Sequence, residues 1–316
     1  LRENSCDHVQ LAFINRPIRV VVNQKPIPDH IGRAILWLLF GVTGGLGLDL
    51  FAKEILRTYS LSEFVLIRSI IGLAIFLALA PRFFGGFREL RTKRLAWHAL
   101  RTLLAVGAMY GFFYGLSQMP LVNALTLGYT APLMVTALSV PFLGEHVGWR
   151  RWAAVVVGFI GTLVVLRPGS ADFSFASVAI LLAAFCYACQ AIAARHLATE
   201  STLSLSVYVV AGPLLFAGVM IDTDSWVTPD FGGWMLMTGA AIGSVIAWVG
   251  FINGYRASSP AVLAPFEYLA LIGGAIAGYL IWDEVPDRWA IVGAVIIISS
   301  GLYVVYREIG LKNTPS

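Results

Sequence analysis

Apolar residues run along this chain in ten long blocks, with charged and turn-forming residues collected between them. The blocks cover roughly residues 34–52, 61–80, 95–117, 121–143, 150–167, 174–195, 203–221, 232–254, 260–282 and 288–306. Each is near the twenty residues that a helix needs to cross a hydrocarbon layer about 30 Å thick. The links are short: "SQMPL" alone turns the chain between the third and fourth blocks, and no soluble domain fits in any of them. The pattern predicts an all-α polytopic membrane protein with ten transmembrane helices.

Sliding the sequence along itself by about 140 residues brings similar residues together in order. Leu56, Thr58 and Ser60 meet Leu197, Thr199 and Ser201. Gly111 and Gly115 meet Gly250 and Gly254, Pro120 and Ala124 meet Pro260 and Ala264, and Glu145 meets Glu284. Each unit holds five spans, an odd number, so the second must enter the membrane from the opposite side. Two inverted five-helix repeats follow, an arrangement common in secondary transporters, whose substrate sites lie near the midplane where the repeats meet. The divisions expected are a cytoplasmic extension over 1–32, a first repeat over 33–167, a second over 168–307 and a cytoplasmic tail over 308–316. Glycines four apart (Gly107, Gly111 and Gly115; Gly239 and Gly243; Gly250 and Gly254; Gly274 and Gly278) predict close helix contacts, either fixed packing or surfaces that slide during transport.

Composition agrees with this pattern: 58% of the residues are hydrophobic and 13% charged, against about 45–50% and about 25% in globular proteins. The net charge of +4 is not a nucleic-acid signal, because the basic residues lie between apolar runs and not on one face. With the N-terminus in the cytoplasm, sixteen of the 22 Lys and Arg fall on that side, five of them between Arg82 and Arg94. Lys53, Arg57, Arg167 and Arg288 fall on the other side, and Arg68 and Arg101 lie within spans. This bias places both termini in the cytoplasm of a plasma (bacterial inner) membrane protein. The first 30 residues hold no apolar segment of signal-peptide type. Cys186 and Cys189 form a C-x-x-C inside a span with no second ligand pair, so they read as packing residues and not as a metal or redox site.

Ionisable groups inside a span are costly and mark sites. In "APFEYLALIGGAIAGYLIWDE", Glu267 stands about seven residues into the ninth block, roughly 10 Å deep at 1.5 Å per residue. It could exchange a proton, bind a substrate amine, or simply hydrogen-bond within the helix. Its counterpart in the fourth block is Leu127, so the carboxylate breaks the repeat. Arg68 is equally deep in the second block, and pairs with Asp49 or Glu63 or contacts an anion in the transport path. Asp49 and Glu63 lie close enough to block ends to reach the interface. Tyr110, Tyr114, Tyr129, Gln190, Trp248, Phe266 and Tyr268 share these depths, as do Thr126 and Tyr187. They form an aromatic wall with few polar groups, suited to solutes with an apolar part.

Two stretches resemble the paired EamA domains of the drug/metabolite transporter superfamily. The first runs "GFFYGLSQMPLVNALTLGYTAPLMVTALSVPFLGEHVGWRRWAAVVVGFIGTLVVLRPG", with Pro132 inside the fourth span, Gly144-Glu145 at its end and a glycine-spaced fifth span. The second runs "SSPAVLAPFEYLALIGGAIAGYLIWDEVPDRWAIVGAVIIISSGLYVVYRE", with Asp283 in place of glycine before Glu284. Arg68 also matches an Arg often seen in the family's second span. The resemblance covers about residues 33–307. It implies ten helices around a central cavity and transport of a small organic solute without ATP or any cofactor. It places Glu145 and Glu284 as structural caps near the N-terminus of the next helix, where a carboxylate meets free N–H groups. The partners implied are the lipid bilayer and a small-molecule substrate, with protons as a candidate coupling ion, in a monomer or weak dimer. Export of amino acids and related aromatic metabolites is the first expectation. Import of a cofactor, vitamin or nucleoside-like solute is the alternative. No catalytic motif, metal-ligand set, ATP-binding glycine loop or selectivity filter is present in the sequence, so a membrane enzyme or channel fits less well.

Overall fold

A computed structural model describes residues 31–83, 86–144, 148–169, 174–197, 200–224, 226–257, 263 and 266–312. Among the described residues these α-helices follow in order: α1 (Ile31–Ile55), α2 (Leu61–Phe83), α3 (Leu95–Gln118), α4 (Leu121–Gly128), α5 (Ala131–Leu143), α6 (Trp149–Leu166), α7 (Phe175–His196), α8 (Thr202–Met220), α9 (Phe231–Ala257), α10 (Leu269–Trp282) and α11 (Arg288–Lys312). Among the described residues nine helical segments are long and apolar enough to cross a membrane, with α4 and α5 together making one; α10 is shorter. The expected ninth span, 260–282, thus appears as α10 preceded by helical Phe266 and Glu267. Its start lies outside the described residues, as do the N-terminal extension and the last four residues. The chain is a ten-helix polytopic membrane protein built as two inverted five-helix repeats. The final helix runs to Lys312, into the stretch expected to be a tail.

The packing obeys the repeat. Exchanging the two halves swaps α1 with α7, α2 with α8, α3 with α9, α4–α5 with the ninth span, and α6 with α11. Under that exchange the extensive α1–α9 contact becomes α3–α7, and α2–α9 becomes α3–α8, while α2–α8, α4–α10 and α6–α11 map onto themselves; all of these contacts are present. Without a hydrophobic drive between helices in lipid, such contacts rest on close van der Waals approach. A Cβ added to Gly250 would lie 2.4 Å from Gly41 Cα, so α1 and α9 touch backbone to backbone. The Gly107–Gly115 stripe meets α7, with Cys186 Sγ over Gly107. Cys186 of the C-x-x-C is therefore part of a helix contact.

Loop ends satisfy their backbone groups locally. Ser60 and Glu63 form a reciprocal capping box at the start of α2: Glu63 N–H donates to Ser60 Oγ (3.2 Å) and Ser60 N–H to Glu63 Oε2 (2.8 Å). Ser174, Ser201, Asp230 and Asp287 accept from first-turn N–H groups of α7, α8, α9 and α11.

Candidate functional site

The fourth span is broken near its middle. Tyr129 and Thr130 leave the helix, and Thr130 Oγ1 donates back to the Leu127 carbonyl (2.7 Å), so the turn is satisfied internally. Pro132 then fits the first turn of α5, where its missing N–H costs nothing. The ninth span breaks at Tyr268. The two breaks pack on each other: Tyr129 and Tyr268 rings are 5.2 Å apart, and Tyr129 Oη donates to the Glu267 carbonyl (2.7 Å). In secondary transporters, discontinuous helices meeting between repeats build the substrate site.

A cavity of about 490 Å³ lies beside the breaks. α1, α2, α3, α4, α5, α7, α8, α9 and the ninth span all contribute to it. Of the expected residues it gathers Asp49, Arg68, Tyr129, Tyr187, Gln190, Trp248 and Glu267. Arg68 is only 7% exposed. Its guanidinium lies 5.8 Å from the Phe64 and Phe113 ring centres and donates to Ser244 Oγ (3.3 Å) and to the Met109 thioether (3.0 Å). Its Nε is buried without a hydrogen-bond partner among the described residues. Asp49 acts on Arg68 electrostatically but forms no ion pair with it within 4 Å. Glu63 is not an Arg68 partner and does not reach out to the interface. It is 1% exposed, and its second oxygen accepts the Val227 N–H (2.7 Å), because the capping geometry turns it toward the loops.

Glu267 is half-buried, lines the cavity, and shares its electrostatic field with the Tyr129, Tyr187 and Tyr268 hydroxyls. Gln190 also lines the cavity, and its amide donates to the Arg101 carbonyl (3.4 Å).

Four expected residues fall elsewhere. Tyr110 packs its ring on Phe216 (4.9 Å) and donates to Ser62 (3.4 Å). Tyr114 is 42% exposed on the outer surface. Helical phase is the reason. Ala105, Ala108, Met109 and Phe112 follow the i, i+3, i+4, i+7 pattern and face the cavity, which turns Tyr110 and Tyr114 to another side. Phe266 packs on the cluster of Ala34, Leu38 and Val42. Tyr268 is core, with its hydroxyl toward Gly301 of α11. Met109, Phe113, Ser244 and Phe251 line the cavity unforeseen. Only the phase of their helices could have found them.

Beyond the cavity, α1 and α4 present fully buried Ala52 and Leu121, and then a surface hollow lined by Lys53, Pro120, Trp282 and Glu284. Glu284 closes this end. It pairs with Lys53, which also donates to the Met119 carbonyl (3.0 Å), and its Oε2 accepts the Leu121 N–H (2.9 Å). It accepts at the start of α4, in the other repeat, and not at the start of the helix that follows it. Asp287, one residue before that helix, fills the latter role. Glu145 lies outside the described residues. No cluster of three or more His, Cys, Asp or Glu able to hold a metal occurs among the described residues.

The profile of the EamA-like transporter family matches residues 32–167 and 174–306. A Rickettsia felis protein named S-adenosylmethionine uptake transporter is 30% identical over 276 residues, covering 86% of this chain and 92% of its own. A Vibrio cholerae riboflavin transporter is 29% identical over 226 residues, 71% of this chain and 76% of its own. One solved crystal structure, 18% identical, superposes with a TM-score of 0.63 over 89% of this chain and 99% of that one, which supports the fold.

Proposed function

Because the chain belongs to the EamA-like transporter family, we propose that it takes up a cofactor-sized metabolite carrying a planar heteroaromatic group. The observation that carries this reading is the aromatic-walled cavity of about 490 Å³ between the repeats, within the 300–1,000 Å³ range typical of sites for such ligands. Tyr129, Tyr187, Trp248 and Phe251 contribute rings to its lining, and Asp49, Arg68 and Glu267 contribute charged groups. The names of the Rickettsia and Vibrio relatives support import of a nucleoside- or flavin-like solute over the amino-acid export expected first.

Transport proceeds by alternating access with no conversion of the solute. Ala52, Leu121 and the Lys53–Glu284 pair form the closed gate of one face, and uptake requires that packing to part. By the distribution of Lys and Arg that face is extracellular and both termini are cytoplasmic, in the plasma (bacterial inner) membrane. Glu267, Tyr129, Gln190 and Trp248 contact the solute, and Glu267 is also the candidate proton carrier.

The test is uptake into proteoliposomes of labelled S-adenosylmethionine, riboflavin, tryptophan and phenylalanine, with recovered solute checked for chemical change. Saturable, self-exchanging uptake of one of the two cofactors, recovered intact, is expected. Transport confined to the amino acids would overturn the reading, as would chemical conversion without transport.

A further inference from the structure

Among the described residues three formal charges face the cavity, and they are not balanced. Arg68 is buried, yet its acceptors are one hydroxyl and one thioether, and its Nε has none among the described residues. That hydroxyl is a neutral acceptor, its own hydrogen shared between the carbonyls of Ala240 and Ala241 (both 3.0 Å), and it brings no negative charge to the guanidinium. The two flanking rings hold the guanidinium plane but accept no hydrogen bond. A guanidinium is always charged and offers a planar fork suited to a carboxylate. Burying one without such an acceptor is unfavourable unless a ligand supplies it. Asp49 stands near Arg68 without touching it, leaving its oxygens available to a donor between them. Glu267 is a second carboxylate, set among tyrosines. One cation and two anions therefore await a ligand with one anion and two cations.

We infer that Arg68 and Asp49 form a subsite for a zwitterionic α-amino-acid group, Arg68 taking its carboxylate and Asp49 its ammonium, and that Glu267 with the adjoining rings takes a second positive centre. Carboxylate and aromatic faces both favour an onium group. Resting on the proposed uptake of a heteroaromatic cofactor, this assigns the substrate class: a nucleoside bearing an amino-acid sulfonium, of the S-adenosylmethionine type, and not a flavin. Neither Arg68 nor Glu267 has a use in a site for an uncharged isoalloxazine.

Binding of three ligands to the purified protein, read by competition against labelled S-adenosylmethionine, tests this. Decarboxylated S-adenosylmethionine lacks only the carboxylate, and S-adenosylhomocysteine lacks the positive sulfur. Each should bind about tenfold to a hundredfold more weakly than S-adenosylmethionine, the scale of a charge-assisted contact. Arg68→Gln should erase the first difference and leave the second, and Glu267→Gln the reverse. The wild-type ligand series decides even if a variant fails to fold. Equal binding of S-adenosylmethionine and its decarboxylated form overturns the subsite while cofactor uptake stands. Riboflavin uptake without S-adenosylmethionine binding does the same. If the labelled ligand does not bind and neither cofactor is taken up by proteoliposomes, the uptake reading itself has failed.

Discussion

The fourth and ninth spans are built on one plan and differ where it matters. Each ends in a residue with left-handed backbone, Gly144 (φ 66°, ψ 21°) and Asp283 (φ 56°, ψ 27°). Each breaks fifteen residues before that cap, at Tyr129 and at Tyr268. Counted from the caps, Glu267 falls opposite Gly128, one place from the Leu127 that the sequence register indicates, and both are uncharged. Geometry is thus repeated while chemistry is not: the first copy contributes a bare glycine to the cavity wall, the second a carboxylate. What two pseudo-symmetric spans share holds the fold, and what only one of them has is free to be used on a solute.

The largest effect expected belongs to the shared, structural side. Glu284→Ala orphans the Leu121 N–H and leaves the Lys53 charge with only the Met119 carbonyl, and should cost about 2–3 kcal/mol of stability, below the range for fully buried pairs because this one is partly wetted. Glu284→Gln keeps an acceptor for Leu121 and should lose less. Thermal unfolding in detergent reads both; equal midpoints for wild type and Glu284→Ala would sever the link between the repeats proposed for this acid. On the unshared side, Glu267→Gln should leave unfolding nearly unchanged but reduce uptake about tenfold, the loss of one charged contact, and flatten its pH dependence. Unaltered uptake at every pH would make Glu267 a packing residue.

A smaller effect separates the two tyrosines. Tyr129→Phe removes a 2.7 Å hydrogen bond to the Glu267 carbonyl inside a low-dielectric contact and should cost about 1–2 kcal/mol. Tyr268→Phe removes a hydroxyl with no hydrogen bond among the described residues and should be close to neutral. Similar losses in both would mean that the breaks are held by ring packing alone.

These spans also mark how far the sequence could be read. Length and apolarity revealed the helices, the odd number of spans per unit revealed the inversion, and the ionisable residues Asp49, Arg68 and Glu267 announced the cavity because charge inside a span is costly. Pro132 was a visible sign of the first break. The second has Leu271 at the matching place and carries its proline, Pro265, on the other side of the break, three residues before Tyr268. The Tyr110 and Tyr114 expectation failed because depth along a span was weighed without rotation around it. Glu284 bonds to a helix 163 residues away in sequence, a contact that only the assembled repeats create.

The smallest effect expected is also the cleanest comparison of the two spans. Both caps need positive φ, which glycine adopts freely and an L-residue with a Cβ does not. Asp283 holds that conformation with an exposed side chain, and its N–H donates to the Tyr279 carbonyl (3.0 Å), as Gly144 N–H donates to Val140 (3.1 Å). Asp283→Gly should therefore relieve strain but give the unfolded chain more freedom, for a net gain of about 0.5–1 kcal/mol. Gly144→Asp should lose about as much. Because neither position lines the central cavity, neither change should move uptake. A gain in one and a loss in the other, read as opposite shifts in unfolding temperature, would show the two caps to be one structural position in two chemical forms. A loss on Asp283→Gly would instead mean that the aspartate has taken on a bond or a charge contact that its counterpart never had.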